Sequence, residues 1–131
     1  MAWKFDSNLP IYIQIMNKIK QEIVSKELAV GERLPSVREY AEIAGVNPNT
    51  IQRSLSELEK EGFIYTNRTA GRYVTDNEAL ISEARQALAL EELKRFVGTM
   101  EKLAYPADEL ANLVNTYLKG SYNPWNFCDV S

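Results

Sequence analysis

The 131-residue sequence contains no histidine and a single cysteine, Cys128. A disulfide within the chain needs two cysteines, and Cys/His zinc sites and histidine-based catalytic triads need histidines that are absent. Serine and cysteine nucleophiles have no histidine to activate them, and no spacing of carboxylates singles out an acid/base pair. We therefore expect no enzyme activity, no metal and no cofactor.

Long apolar runs are also absent. No run approaches the roughly 20 apolar residues of a membrane-spanning helix, and no charged segment followed by an apolar core opens the chain as in a secretion signal. We expect a cytoplasmic protein without a membrane partner. Hydrophobic residues make up 45% and charged residues 25% of the chain, which is the balance of a globular protein. Its length allows one domain, or a small domain with a helical extension.

The formal net charge is −3, which on its own disfavours a nucleic-acid partner. The charge is unevenly distributed along the chain. Residues up to Thr75 include ten Lys or Arg and nine Asp or Glu, a net charge of +1, and the remainder includes five and nine, a net charge of −4. This split allows a locally basic surface in the N-terminal part.

The first long helix is predicted from Ile11 to about Ser25. Asp6–Pro10 is predicted to be a turn and helix start, because Asp, Ser and Asn can cap a helix and Pro suits its first turn. Apolar residues then recur at helical spacing, which predicts that one side of the helix packs on a core: Ile15, Ile19 and Ile23.

The segment from Ser36 to about Gly62 has the pattern of two helices joined by a tight turn. Ser36 can cap the first helix, and Glu39 three residues later completes a capping box. Gly45 is suited to end that helix. This spacing is typical of a helix-turn-helix, in which the first helix braces the second against the major groove of DNA.

The second helix of this pair is amphipathic. Its apolar residues share one side at about 100° per residue: Ile51, Leu55 and Leu58. The opposite side carries polar groups: Asn49, Gln52, Arg53 and Ser56. Amide side chains suit the edge of adenine, and arginine binds guanine or phosphate. An ordinary surface helix has the same pattern, so the neighbouring segments must decide between the two interpretations.

A β-hairpin is predicted directly after this helix. Phe63–Thr66 and Arg72–Thr75 are short aromatic and β-branched runs around a glycine-containing turn. A hairpin in this position is a wing. Arg68 and Arg72 lie beside its tip, where DNA phosphates or the minor groove are natural partners of arginine. A surface hairpin without a binding role is the alternative.

Two further helices are predicted after Asp76, a candidate cap, and the second ends at Gly120. Their apolar faces are too broad to be buried against each other alone, so a second copy of the chain is the economical partner. Folding back on the N-terminal domain is the alternative. The tail residues Tyr122, Trp125 and Phe127 are predicted to cover the same surface or to be loosely ordered. The candidate dimerisation residues are Leu88, Leu93, Phe96, Val97, Met100, Leu110, Leu113, Val114 and Tyr117.

Four segments together resemble the GntR family of bacterial transcription regulators, and the resemblance covers roughly residues 9–75. The segments are Pro10–Tyr12 with Gln14–Ile15, Gly31–Arg38, Val46–Arg53 and Leu58–Ile64. The short two-helix remainder resembles the YtrA-type branch, whose members carry a small dimerisation region instead of a large ligand-binding domain. The expected fold class is mainly α with a small β-hairpin. It comprises a winged helix-turn-helix domain at residues 1–75 and a helical dimerisation region with an aromatic tail at residues 76–131.

The resemblance implies a homodimer that binds double-stranded operator DNA with an inverted repeat, usually as a repressor, and leaves open a small-molecule effector of unknown identity. Arg38 matches the arginine of the first motif helix that reaches DNA, Ser36 and Arg33 match positions near phosphates, and Gly71 matches a wing glycine. The recognition turn and helix are matched by Asn47, Asn49, Thr50 and Gln52, with Arg53 next to them. The predicted DNA contacts therefore comprise these residues together with Arg68 and Arg72.

The sequence departs from the family pattern at two places. Some members have arginines at the positions of Pro48 and Gln52, so their base contacts do not transfer to this chain. Thr69 stands where the wing often has its first glycine, which disfavours close approach of the backbone to DNA there. The alternative function is a protein-interaction adaptor that uses a winged-helix domain without binding DNA.

Overall fold

The computed structural model describes residues 3–120. Within them lie five helices and one antiparallel hairpin, which confirms the predicted fold class. The aromatic tail lies outside the described residues, so its predicted roles stay predictions. The elements in chain order are α1 (Ile11–Val24), α2 (Val37–Ala44), α3 (Pro48–Lys60), β1 (Ile64–Asn67), β2 (Gly71–Val74), α4 (Glu78–Lys102) and α5 (Ala107–Leu118).

The described residues divide into two compact units, an N-terminal unit that ends at Ala89 and a C-terminal unit that begins at Leu90. The N-terminal unit extends past residue 75, where the sequence placed the end of the winged domain. The first turns of α4 belong to this unit because Ile81 is fully buried and Leu88 packs against the same core. No helix among residues 3–120 is both long enough and apolar enough to cross a membrane.

The core of the N-terminal unit is built from the helix stripes that the sequence predicts. The residues of the stripes on α1 and α3 are all fully buried. Burying one aliphatic side chain of this size contributes about 1.5–3 kcal/mol. Helices α1 and α3 pack on each other and α2 packs on α3. The residues are Ile15, Ile19 and Ile23 of α1 and Ile51, Leu55 and Leu58 of α3.

Local capping fixes the helix-turn-helix as predicted. The Ser36 hydroxyl accepts from the Glu39 amide at 3.1 Å, and the Glu39 carboxylate accepts from the Ser36 amide at 3.0 Å. Gly45 ends α2 with φ +72°, a left-handed conformation that suits glycine. Asn47 then caps α3, and its side chain accepts from the Asn49 amide at 2.7 Å.

Two predicted caps are wrong in detail. Pro10 is the N-cap of α1, where no side chain caps the helix; instead the Gln14 amide group bonds back to the Asp6 backbone at 2.6 and 2.7 Å. At α4 it is Asn77, and not Asp76, whose side chain accepts from the Leu80 amide, at 3.1 Å. At α4 the Asn77 side chain thus satisfies an open backbone amide of the first turn, whereas at α1 the Gln14 side chain fixes the chain that precedes the helix.

The predicted hairpin is confirmed, with strands that start and end within one residue of the expected positions. Ile64 pairs with Val74 and Asn67 pairs with Gly71. The loop before α2 adds a bridge between Arg33 and Tyr73, so the wing is anchored along one edge. Its inner end is buried in the core, where Ile64 is 2% and Val74 0% exposed.

Candidate nucleic-acid interface

Helix α3 is fixed by its buried face, so that the opposite face is presented to solvent. Ser54 is fully buried, and its hydroxyl donates to the backbone oxygens of Tyr12 at 2.9 Å and Thr50 at 3.0 Å. The bond to Tyr12 ties α3 to α1. Asn49, Gln52 and Arg53 lie on the exposed face, as the helical periodicity predicts.

The N-terminal end of α3 combines structural and available polar groups. The Asn47 side-chain oxygen accepts its cap bond from the Asn49 amide, while the Asn47 amide nitrogen has no part in the cap. Thr50 is half-buried, and its amide bonds to the Asn47 carbonyl at 3.0 Å. Gln52 makes a long contact of 3.5 Å to the Ser56 hydroxyl. Asn49 and Gln52 are therefore the exposed amides that can form hydrogen bonds with base edges.

Arg53 is exposed at the side of this face. Its guanidinium lies over the Tyr12 ring, with the guanidinium carbon 3.7 Å from the ring centroid. A guanidinium that is stacked on one face still carries N–H donors along its edges. Arg53 can thus bind a phosphate through these N–H groups while the Tyr12 ring fixes the orientation of the guanidinium plane.

Arg38 extends from α2 into solvent, with its side chain 90% exposed. Its nearest ionic partner is Glu42, one turn along the helix, with Nε 3.6 Å from the carboxylate. An exposed pair of this kind contributes little, about 0.3–0.5 kcal/mol, so Arg38 can exchange Glu42 for DNA at small cost. Glu39 on the same helix is committed to Ser36, because hydrogen bonds from the Ser36 backbone and hydroxyl lower the pKa of the Glu39 carboxyl.

Arg33 and the wing glycine Gly71 lie side by side. Gly71 has φ +104°, and a Cβ atom placed there would lie 3.2 Å from the Arg33 Nε. The loop that carries Arg33 is fixed by a 2.8 Å bond from the Leu34 amide to the Arg72 carbonyl. The structure thus brings together two predicted contact residues that are separated by 38 positions in the sequence.

The two wing arginines have different surroundings. Arg68 is exposed in the turn between the strands. Arg72 is only 23% exposed and lies beside α3, with its Nε 3.9 Å from the Glu59 carboxylate. At the tip, the Asn67 side chain accepts from both the amide and the hydroxyl of Thr69 at 3.1 Å, so Thr69 helps to close the turn.

Comparison with known proteins identifies the family. The model for bacterial regulatory proteins of the gntR family matches residues 11–74. An uncharacterised HTH-type transcriptional regulator of Bacillus subtilis, YhcF, is 39% identical over 117 residues, which make up 89% of this chain and 97% of YhcF. The chain belongs to the GntR family.

Two further relatives support the GntR assignment along most of the chain. The HTH-type transcriptional repressor YtrA of Bacillus subtilis is 38% identical over 92 residues, which cover 70% of this chain and 71% of YtrA. A solved GntR family regulator from Listeria monocytogenes matches with a TM-score of 0.74 and 38% identity, over 86% of this chain and 98% of that one. The predicted winged fold, the regulator class and the resemblance to YtrA are confirmed, and the family is one of regulators rather than enzymes.

Three residues that shape the candidate interface of this GntR regulator are not among the predicted site residues. Ser54 could have been found, because it lies three residues after Ile51 and four before Leu58 and so shares their buried stripe. Tyr12 carried no signal for its contact with Arg53. Glu59 carried no signal that linked it to the wing.

The candidate dimerisation residues lie in two places. Leu88 packs against the core of the N-terminal unit. In the C-terminal unit Leu93 is 54% exposed, Val97 and Leu110 are half-buried, and no residue of α5 is buried. The remaining residues line an apolar groove of about 400 Å³, a volume within the range of ligand clefts: Phe96, Met100, Leu113, Val114 and Tyr117.

Proposed function

We propose that this GntR regulator is a homodimeric repressor that binds an inverted-repeat operator, with α3 as the recognition helix. One observation carries the proposal: the buried side of α3 is locked to α1 by Ser54, while Asn49, Gln52 and Arg53 face solvent. A rigid helix with exposed amides and an arginine matches the hydrogen-bonding pattern of the major groove. The 38% identity to the repressor YtrA supports repression as the outcome.

The DNA contacts divide into two groups in this proposal. Asn49 and Gln52 read base edges, and Arg38 binds a guanine or a phosphate. Backbone contacts come from the positions around the helix ends and the wing, which are Arg33, Ser36, Asn47, Thr50, Arg53, Arg68 and Gly71. The sequence also placed Arg72 in this second group, but its burial beside Glu59 supports a different role.

The C-terminal unit supports dimerisation. Phe96 is 40% and Tyr117 68% exposed at the groove, although both are large apolar side chains. Exposed apolar surface of this kind is typical of a contact surface. A second copy would place two recognition helices against half-sites about one helical turn, or roughly 34 Å, apart. We also propose that a small-molecule effector, of unknown identity, changes the affinity of the dimer for its operator.

Selection of bound sequences from a random duplex pool tests the DNA-binding part of the proposal. We expect enrichment of an inverted repeat. Arg38→Ala should then weaken binding to the selected duplex by about 1–3 kcal/mol if Arg38 contacts a guanine. A phosphate contact would instead lower the salt slope of binding by about 0.9. Arg85→Ala, which removes an exposed arginine from α4, is the matched control. Failure to enrich any sequence would favour the adaptor function.

Light scattering tests the dimer. The single chain has a mass of 14.9 kDa, and we expect twice that value at micromolar concentration. Phe96→Glu places a charge in the groove and should yield the single-chain mass with weaker operator binding. Leu118→Glu is the control, since Leu118 is 74% exposed but does not line the groove. A wild-type mass equal to one chain would contradict dimerisation.

A further inference from the structure

The inner face of the wing is defined by strand alternation. Thr66 and Arg72 are cross-strand partners, one step outward from the buried pair Ile64 and Val74 on the same face. Tyr65 and Tyr73 form the next cross-strand pair on the other face, where their rings stack at 5.7 Å. Thr66 and Arg72 therefore face the domain and not the solvent side of the hairpin.

Both of these residues meet one carboxylate on α3. The Thr66 hydroxyl donates to Glu59 Oε1 at 2.6 Å, and the Arg72 Nε lies 3.9 Å from the same oxygen. Glu59 lies near the C-terminal end of α3, away from the residues that would read bases. A single side chain of α3 thus contacts both strands of the wing, through a hydrogen bond to Thr66 and an ion pair with Arg72.

The environment of Arg72 disfavours a direct DNA contact. Its side chain is 23% exposed, whereas Arg38 is 90% exposed. The Arg72 Nε is buried and has no hydrogen-bond partner among the described residues, so Glu59 supplies the compensating charge. If Arg72 moved to reach a phosphate, the Glu59 carboxylate would lose its cationic partner, which costs free energy.

We propose that Glu59 is the positioning residue of the wing: it holds Thr66 and Arg72 against α3 and thereby sets the angle at which Arg68 meets the DNA backbone. This inference rests on the proposed function for the DNA contact of Arg68. It assigns Arg72 to wing positioning and Arg68 to the phosphate contact.

Hydrogen exchange in the free protein tests the positioning itself, without DNA. Glu59→Ala should speed the exchange of wing amides in residues 64–74 several-fold relative to the amides of α1. Glu59→Gln keeps an acceptor for Thr66 but loses the charge, so it should have a smaller effect. Glu57→Ala is the matched control, because Glu57 on the same helix pairs with Lys60 at 3.4 Å and not with the wing. Unchanged wing exchange in Glu59→Ala would overturn the proposal.

Salt-dependent binding to a selected duplex separates the two arginines. Arg72→Met should weaken binding about tenfold, within the range of coupling in one ion-pair network, and leave the salt slope unchanged. Arg68→Met should lower that slope by about 0.9, the value for one phosphate contact. The double variant Glu59→Gln with Arg72→Met should bind no more weakly than Arg72→Met alone.

Two outcomes of the binding experiments would contradict different parts of the proposals. A loss of about 0.9 in salt slope for Arg72→Met would show that Arg72 binds phosphate itself, and would overturn its assignment to positioning. If the wild-type protein binds no duplex, the proposed function fails, while the exchange experiment still decides whether Glu59 holds the wing.

Discussion

The Arg53 guanidinium lies over the ring of Tyr12, with 3.7 Å between the guanidinium carbon and the ring centroid. Arg53 belongs to α3 and Tyr12 to the first turn of α1, so the stack joins the two helices at the edge of the exposed face. A second link between the same helices runs from the Ser54 hydroxyl to the Tyr12 backbone oxygen at 2.9 Å. The hydrogen bond to the backbone persists whatever side chain stands at position 12. Substitution of Tyr12 therefore removes the ring stack and keeps the hydrogen bond.

Tyr12→Leu should therefore weaken operator binding without unfolding the domain. An exposed cation–π contact contributes about 0.5–1 kcal/mol, so we expect a loss of affinity of about two- to fivefold. Arg53→Ala should cost more and should lower the salt slope by about 0.9. In the Arg53→Ala background, Tyr12→Leu should have no further effect on titrations followed by fluorescence anisotropy. Additive losses would show that Tyr12 acts independently of Arg53.

Gly71→Ala should destabilise the wing. At φ +104° an L-residue is strained, and the new methyl group would lie 3.2 Å from the Arg33 Nε. Strain of this kind costs about 1–3 kcal/mol, which urea unfolding can measure. Gly98→Ala is the matched control: among the described residues, nothing outside the local backbone of helix α4 and the two neighbouring residues lies within 4 Å of the added Cβ, so this change should stabilise by about 0.5–1 kcal/mol. Equal stability of Gly71→Ala and the wild type would show that alanine is not strained at this position.

Much of the fold could be predicted because the signals are local. The spacing of Ile51, Leu55 and Leu58 sets the buried side of α3 directly, and the capping box of Ser36 and Glu39 needs only three residues of separation. These predictions are confirmed because local geometry and burial favour the same arrangement.

The contacts that tune the candidate interface are not local. Glu59 meets Thr66 only because the hairpin folds back on the end of α3, and Arg53 meets Tyr12 across 41 positions of sequence. Periodicity places side chains on faces but does not choose their partners across elements. The inward position of Arg72, by contrast, follows from strand alternation, which puts Arg72 on the same face as the buried Val74.

The capping box should make stability depend on pH. Hydrogen bonds from Ser36 lower the pKa of Glu39 from its ordinary value of 4.5. The carboxylate therefore contributes stability that is fully present above pH 4.5 and is lost as the pH falls through the lower pKa of the folded state. Glu39→Gln keeps an acceptor for the Ser36 amide but cannot ionise. In thermal unfolding, its Tm should lie below that of the wild type at neutral pH, and the gap should close in acid. A gap independent of pH would contradict this origin.

Tyr40→Phe should stabilise the domain. The Tyr40 ring is 2% exposed and meets Trp3 edge-on at 6.3 Å between centroids, contacts that phenylalanine retains. The hydroxyl is buried without a hydrogen-bond partner among residues 3–120, which costs about 1–3 kcal/mol. We therefore expect the free energy of unfolding to rise by about 1 kcal/mol. Tyr65→Phe, at a 48% exposed tyrosine, should change stability by no more than about 0.5 kcal/mol.

The pH dependence of Tyr40→Phe gives an independent check. Burial, and next the charges of Glu22 and Glu32, raise the pKa of Tyr40 above its ordinary value of 10.0. The unfolded chain therefore loses this proton first as the pH rises past 10, so the wild type loses stability there and the phenylalanine variant lacks that loss. Urea unfolding at neutral pH and above pH 10 should show the advantage of the variant growing. A variant less stable than the wild type at neutral pH would show that a bound water satisfies the hydroxyl.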